Sequence, residues 1–244
     1  MLALRRLGVF TGFALSEYIR SGRIVIELIA SVLFWGLFLR EWTVGLEQFF
    51  SLTGVFTLLM AFYTTASLLS IGKRPQGYVL ITRPLGRGGY LLGLYLVALL
   101  VVLTMYAFVS GLMIFVNPPF DFLWLDFGKG SVPLLLNVTM LASLLVLLAA
   151  LVPSNTLRLG LMALIGFGVY SQTWHVSSAY AFVEPIQSMF SWPMYPAVEG
   201  FKLATSRDWS SGPYIPLIQL ALTIVMLVVA LLVFQRRDVV LRDQ

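Results

Sequence analysis

The side chains able to do chemistry are few and widely spaced in this sequence. It has no cysteine and a single histidine, His175, which excludes thiolate nucleophiles, cysteine-type zinc sites and bis-histidine haem. Neither a G-x-x-x-x-G-K-[ST] phosphate loop nor a G-x-S-x-G nucleophile elbow occurs. His175 follows Trp174 and is interpreted as an interfacial polar residue rather than a base. We therefore expect no catalytic residue, cofactor or metal on this chain.

The acid closest to a long apolar segment is Glu27, four residues after Arg23. An ionisable group inside a membrane indicates a function by default, whereas an i,i+4 ion pair with Arg23 would be structural. We favour the ion pair at the cytoplasmic boundary and keep a role in a substrate path as the alternative. An intramembrane hydrolase with paired carboxylates is disfavoured, because no second acid accompanies Glu27 in the apolar segments.

The composition indicates which kind of secondary structure carries these residues. The chain is 59% apolar and 11% charged, with a mean hydropathy of +0.91, against about 45–50% and about 25% in soluble domains. A bilayer is a matching solvent for such a chain, and a spanning helix needs about 20 apolar residues. The sequence predicts one all-α transmembrane domain over 1–244, with six transmembrane helices at 22–40, 52–72, 89–116, 132–152, 156–172 and 214–235.

Basic residues orient these predicted spans. Of the 16 basic residues, 12 fall in the N-terminal segment, the second and fourth gaps and the tail, whereas the alternate gaps carry most of the acids. Such an excess is typical of the cytoplasmic side, so we expect a multi-pass protein of the cell (inner or cytoplasmic) membrane with both termini cytoplasmic. The net charge of +5 then reflects sidedness rather than nucleic-acid binding, for which basic residues cluster on one soluble face.

An amphipathic helix is predicted ahead of the first span. Within 1–21, Arg5, Arg6 and Arg20 share one side of a helical wheel, and Leu7 and Leu15 lie opposite. This pattern predicts an interfacial helix along the cytoplasmic membrane surface, in contact with the lipid bilayer.

The connection at 173–213 is too apolar for a solvated loop. Pro185, Pro193 and Pro196 interrupt it, which predicts short broken helices that dip into the outer interface. The prolines are interpreted as structural breaks, with the shaping of an outer gate as the alternative.

The cytoplasmic gap at 73–88 is longer than a turn between spans requires. It combines four cations with the apolar run Tyr78–Ile81. One interpretation is a basic loop that touches lipid headgroups. The other is a docking helix for a cytoplasmic partner, with apolar side chains in a groove and arginines setting the register.

The stretch from Gly77 to Arg87, which contains Thr82-Arg83-Pro84, resembles a cytoplasmic loop of type-2 ABC exporter permeases. That family loop reads roughly G-x-x-x-x-L-x-x-[ST]-R-P-x-x-R and joins the second and third spans. The resemblance implies a dimer with a second permease copy or homologue, and ABC ATPase subunits on separate chains that carry ATP and Mg²⁺. The coupling contacts it implies are Arg74, Gly77, Tyr78, Leu80, Thr82, Arg83, Pro84 and Arg87.

A translocation path is the remaining expectation. The second span is rich in hydroxyls, and it approaches the dimer axis in the resembled family, which implies that Thr57, Tyr63, Thr64 and Ser67 line a path. Hydrogen bonding to neighbouring helices is the alternative for these side chains. The alternative function for the whole chain is a non-transporting integral scaffold or anchor subunit of a larger membrane complex.

Overall fold

A computed structural model describes residues 2–40, 44–71, 86–151 and 183–236 of the chain. Within these ranges the protein is almost entirely helical and contains no strand. The α-helices in chain order are α1 Leu2–Arg20, α2 Arg23–Phe34, α3 Leu46–Ile71, α4 Gly86–Val116, α5 Trp124–Leu151, α6 Val183–Ser206 and α7 Ile215–Arg236. The all-α prediction is confirmed for the described residues.

A sharp bend separates α1 from α2. The two axes differ by 70° across Ser21 and Gly22, and Gly22 has a φ of +74°, a left-handed conformation that glycine adopts without steric cost. The chain continues beyond α2 as one π-helical turn, Trp35–Leu39. A separate helix, α1, therefore precedes the first predicted span. Its position along a membrane surface stays a prediction.

Among the described residues, four helices are long and apolar enough to cross a membrane, namely α3, α4, α5 and α7. The bent pair α1 and α2 would raise the number to five if it formed one span. By length and composition these helices agree with four of the predicted spans, at 52–72, 89–116, 132–152 and 214–235. The predicted fifth span at 156–172 lies outside the described residues, so the count of six stays a prediction.

Two spans begin earlier than hydropathy predicts. Helix α3 starts at Leu46 and α5 at Trp124, because acids in the first turn, Glu47 and Asp126, favour a helix N-terminus. Inside α5, Pro133 cannot bond the carbonyl of Lys129. The indole N–H of Trp209 donates to that carbonyl at 3.1 Å instead, so the helix continues through the proline.

The outer connection differs from the prediction of short helices broken at Pro185, Pro193 and Pro196. It contains one continuous 24-residue helix, α6, followed by a 3₁₀ turn at Trp209–Ser211. Pro185 falls in the first turn, where no helical N–H bond is lost.

Tertiary packing explains why the other prolines do not end α6. Its C-terminal half lies against α3, α5 and α7, with Val198, Leu203 and Ala204 buried. A proline inside a helix costs about 3 kcal/mol, and burying apolar side chains of this size yields a similar amount. The C-terminal half of α6 therefore forms part of the bundle core rather than a surface loop.

The bundle core is built around α5, which packs against α3, α6 and α7. One apolar cluster joins the ends of α2 and the start of α3 to α4 and α5, with Phe49, Phe50 and Leu134 fully buried. Another joins α4, α5 and α7 through Leu91, Ala142 and Ala230. The helices therefore form one packed unit around α5.

Candidate functional site

A buried polar site lies where α1, α2 and α3 meet, near the bend at Gly22. The Oε1 atom of Glu27 on α2 accepts a hydrogen bond from Tyr18 Oη on α1 at 2.6 Å and one from Thr64 Oγ1 on α3 at 2.5 Å. All three residues have no exposed surface. We call Tyr18, Glu27 and Thr64 the inner polar site.

Apolar side chains surround the inner polar site. Tyr18 packs with Leu68 of α3 and with Val97, Ala98 and Val101 of α4. Burial raises the strength of each hydrogen bond and raises the cost of any polar atom left without one. Glu27 Oε2 is such an atom, since it has no hydrogen-bond partner in the described part of the chain.

The predicted ion pair between Arg23 and Glu27 is wrong. Arg23 Nη1 instead donates to the carbonyl of Ser67 at 2.7 Å and to Ser70 Oγ at 3.4 Å. These groups lie near the C-terminus of α3, where the helix dipole favours a cation. Arg23 and Glu27 do lie four residues apart on α2, but Arg23 donates to groups of α3 instead.

The four residues predicted to line a translocation path differ in burial and in hydrogen bonding. Thr64 is buried in the inner polar site, and buried Thr57 donates to the carbonyl of Thr53 in its own helix at 2.6 Å. Ser67 accepts from Arg23 through its backbone, and Tyr63 is 36% exposed. For Thr64 the structure supports the alternative of hydrogen bonding between helices, and Tyr63 is the most exposed of the four.

A second buried polar cluster joins α5, α6 and α7. Gln219 Nε2 donates to Asn137 Oδ1 at 2.7 Å and to the carbonyl of Pro196 at 3.2 Å, and Asn137 Nδ2 donates to the carbonyl of Ala197 at 2.9 Å. Gly200 makes room for Gln219, since a Cβ there would lie 2.8 Å from its Cδ atom. Sequence reasoning missed this cluster, although an isolated Asn and Gln in apolar spans are a signal for such bonds.

Asp121, between α4 and α5, links the start of α3 to the residue that follows α6. Its carboxylate accepts from the backbone N–H of Leu46 at 2.6 Å and pairs with Arg207 at 3.1 Å. Partial burial raises the pKa of Asp121, but these two partners outweigh it and hold the pKa below its ordinary value. Asn117 adds a link, because its Nδ2 donates to the carbonyl of Leu39 at 2.9 Å.

The chemical capacity of these sites is hydrogen bonding between helices. Within the described ranges, no group of three or more His, Cys, Asp or Glu side chains is arranged to hold a metal ion. Glu27 is the only Asp, Glu, Lys, Arg or His among the buried residues of those ranges. The inner polar site is therefore the strongest candidate for a functional role within the described bundle.

Most residues predicted to bind a partner lie outside the described residues. These are Arg74, Gly77, Tyr78, Leu80, Thr82, Arg83 and Pro84, and His175 lies outside as well. Arg87 belongs to the first turn of α4, which begins at Gly86 with a φ of +72°. The segment 73–88 therefore has two defined attachment points, the end of α3 and the start of α4.

No protein-family model matches the chain, and a comparison with curated proteins finds no match. The described ranges are all-α and contain four or five apolar helices of membrane-spanning length, which is compatible with a multi-pass membrane protein.

Proposed function

We propose that this chain is the membrane-spanning subunit of an ATP-driven exporter similar to the type-2 ABC permeases. It forms a translocation path as a dimer with a second copy or a homologue. ATP and Mg²⁺ bind on separate ATPase subunits that dock through the segment 73–88. The protein resides in the cell membrane with both termini in the cytoplasm.

The observation that carries the proposal is the position of α1 beside the start of α4. The rings of Phe10 and Tyr90 lie 5.3 Å apart, and Phe10 also packs on Leu94. Helix α4 directly follows the segment that resembles the exporter loop. One partner at this end of the bundle would therefore contact both that segment and α1.

Helix length and charge support this orientation. With 31 residues, α4 is about 46 Å long and exceeds the hydrocarbon thickness of about 30 Å, so it extends beyond the membrane core. Helix α1 packs on its first turns and carries the exposed residues Arg5, Arg6 and Arg20. Anionic lipids of a cytoplasmic leaflet would attract these cations.

The proposed mechanism is a rigid-body movement of the spans. Closure of the ATPase pair would push the two 73–88 segments and the two α1 helices together, and the packed spans would rotate to open the path outward. The Gln219 and Asn137 cluster and the Asp121 contacts tie the outer ends of the helices to one another. Movement generated at the inner end would therefore reach the outer end through a connected bundle.

Co-purification tests the proposal. We expect the full chain, isolated in mild detergent, to carry an ATPase chain with a phosphate-binding loop. The double variant Leu80→Glu and Arg83→Glu is expected to lose it, because it inverts a charge and makes an apolar contact polar. The matched control is Arg40→Glu, which inverts a charge on an exposed arginine at the opposite end.

Two results would count against the proposal. Retention of the ATPase by the double variant would show that the segment 73–88 is not the docking site. A wild-type isolate that holds other membrane subunits but no nucleotide-binding chain would favour the alternative, a non-transporting scaffold or anchor subunit.

A further inference from the structure

A single buried oxygen atom connects three helices at the inner end of the bundle. Glu27 Oε1 belongs to α2 and accepts hydrogen bonds from Tyr18 of α1 and Thr64 of α3. Neither hydroxyl is open to water, since both residues are fully buried. Breaking either bond would leave a buried polar group unsatisfied, which is costly for a hydroxyl and more so for a carboxylate.

The covalent link between α1 and α2 does not by itself fix the direction of α1. The two helices differ by 70° across Ser21 and Gly22, and a glycine with a φ of +74° has little steric restriction. The direction of α1 therefore depends on noncovalent contacts. One such contact is the hydrogen bond from Tyr18 of α1 to Glu27 of α2.

We propose that Glu27 is a positioning residue that makes α1 and the inner half of α3 move as one unit. A force applied to α1 then reaches α3 through two hydrogen bonds, from Tyr18 to Glu27 and from Thr64 to Glu27, rather than through the Gly22 bend. The source of that force rests on the proposed function, in which an ATPase subunit presses on this end of the bundle.

A second contact strengthens the same unit. Arg23 lies one turn before Glu27, and its guanidinium holds the carbonyl of Ser67 at 2.7 Å. The first turns of α2 therefore touch α3 at two positions, Thr64 and Ser67, almost one helical turn apart. Two such contacts resist both sliding and tilting of α3 relative to α1 and α2.

Two substitutions of Glu27 separate the effect of its hydrogen bonds from the effect of its packing. The amide oxygen of a glutamine accepts two hydrogen bonds as the Glu27 oxygen does, so Glu27→Gln should keep the unit intact. Glu27→Leu has a similar volume but no acceptor, and it should release α1 from α3. The control is Glu47→Leu, which makes the same change at an exposed position near the opposite end of α3.

The test measures the distance between α1 and α3. The chain has no cysteine, so spin labels can be placed specifically at Val9→Cys and Leu59→Cys, both at exposed positions. Labelled chains diluted into unlabelled ones report the pair within one chain, also in a dimer. Double electron–electron resonance on the full chain in lipid nanodiscs should give one narrow distance for wild type, Glu27→Gln and Glu47→Leu. We expect a broadened or displaced distance for Glu27→Leu, and a narrow unchanged one would overturn the proposal.

A second readout uses the chain with the ATPase subunit that co-purifies. Glu27→Leu should slow ATP turnover about tenfold, equivalent to about 1.4 kcal/mol of barrier, whereas Glu27→Gln should retain the wild-type rate. Wild-type turnover in Glu27→Leu would overturn the coupling role. If no ATPase co-purifies, the proposed function fails, but the distance measurement on the isolated chain still tests the link between α1 and α3.

Unfolding of Glu27→Leu would not remove the test. The double variant Tyr18→Phe and Thr64→Val deletes both donors and leaves the acid in place. A broadened distance in this variant supports the proposal, and a narrow wild-type distance contradicts it.

Discussion

Gly93 determines how closely α1 can approach α4. A Cβ atom at this position would overlap Cδ1 of Phe10 and would lie 2.5 Å from its Cε1. Carbon atoms in contact stay about 3.5–4.0 Å apart, so the ring must retreat by about 1 Å or more. Phe10 is only 8% exposed and packs against Tyr90 and Leu94, which restricts rotation of the ring. We expect Gly93→Ala to displace α1 from α4.

The magnitude follows from two opposing contributions. Overpacking a filled site costs about 1–3 kcal/mol, while replacing glycine by alanine inside a helix stabilises by about 0.8–1.0 kcal/mol. Gly111 is the matched control in the same helix, because a Cβ there would meet no heavy atom within 4 Å. The free energy of unfolding of Gly93→Ala should therefore fall about 1–3 kcal/mol below that of Gly111→Ala.

Two measurements check this prediction in one detergent. Titration with a denaturing detergent, followed by tryptophan fluorescence, gives the unfolding free energies of both variants. Hydrogen exchange should show faster exchange of the backbone amides of α1 in Gly93→Ala and no change in Gly111→Ala. In a Phe10→Ala background, Gly93→Ala should no longer destabilise, as expected for two residues in direct contact. Equal stability of the two glycine variants, with equal protection of α1, would refute the close-contact argument.

Two further predictions concern the hydrogen bonds made by Trp209 and Asp121. Trp209→Phe should cost about 1 kcal/mol of stability, because the carbonyl of Lys129 loses its donor. In a Pro133→Ala background the same substitution should cost nothing, because the new backbone N–H of residue 133 donates to that carbonyl. Equal losses of stability in both backgrounds would contradict this prediction. The lowered pKa of Asp121 means that its stabilising effect is present above the ordinary aspartate pKa of about 3.9 and is lost as pH falls through the folded-state pKa. Thermal unfolding between pH 7 and pH 3 should show that the difference in melting temperature between wild type and Asp121→Asn shrinks as the pH falls. A difference that grows toward acid pH would contradict the lowered pKa.

Hydropathy predicts the positions of four long apolar helices, and the charge pattern predicts a separate helix ahead of α2. They failed at helix ends, where Glu47 and Asp126 resemble loop residues but stabilise the first turns of α3 and α5. They also failed for α6, since local proline rules predict breaks at Pro193 and Pro196. The missing information is the packing of α6 against three other helices, which no local pattern contains.

Sequence spacing shows which residues share a helical face, but it does not show which helix covers that face. Glu27 was therefore assigned to Arg23, four residues away, although its partners Tyr18 and Thr64 lie on two other helices, 9 and 37 residues away.

The cluster of Asn137 and Gln219 is predictable from sequence alone. A polar amide in an apolar span must find a partner or remain unsatisfied in hydrocarbon. Asn137 is the lone amide of its span, and Gln219 is the only amide in the interior of its own, since Gln235 lies in the last turn. Each is therefore a candidate partner for the other, and they do bond at 2.7 Å. The carboxyl group of Glu27, in an apolar segment, likewise requires hydrogen-bond donors from a neighbouring helix. The hydroxyl-rich α3 is the nearest source, so the requirement for satisfaction, rather than i,i+4 spacing, predicts the contact with Thr64.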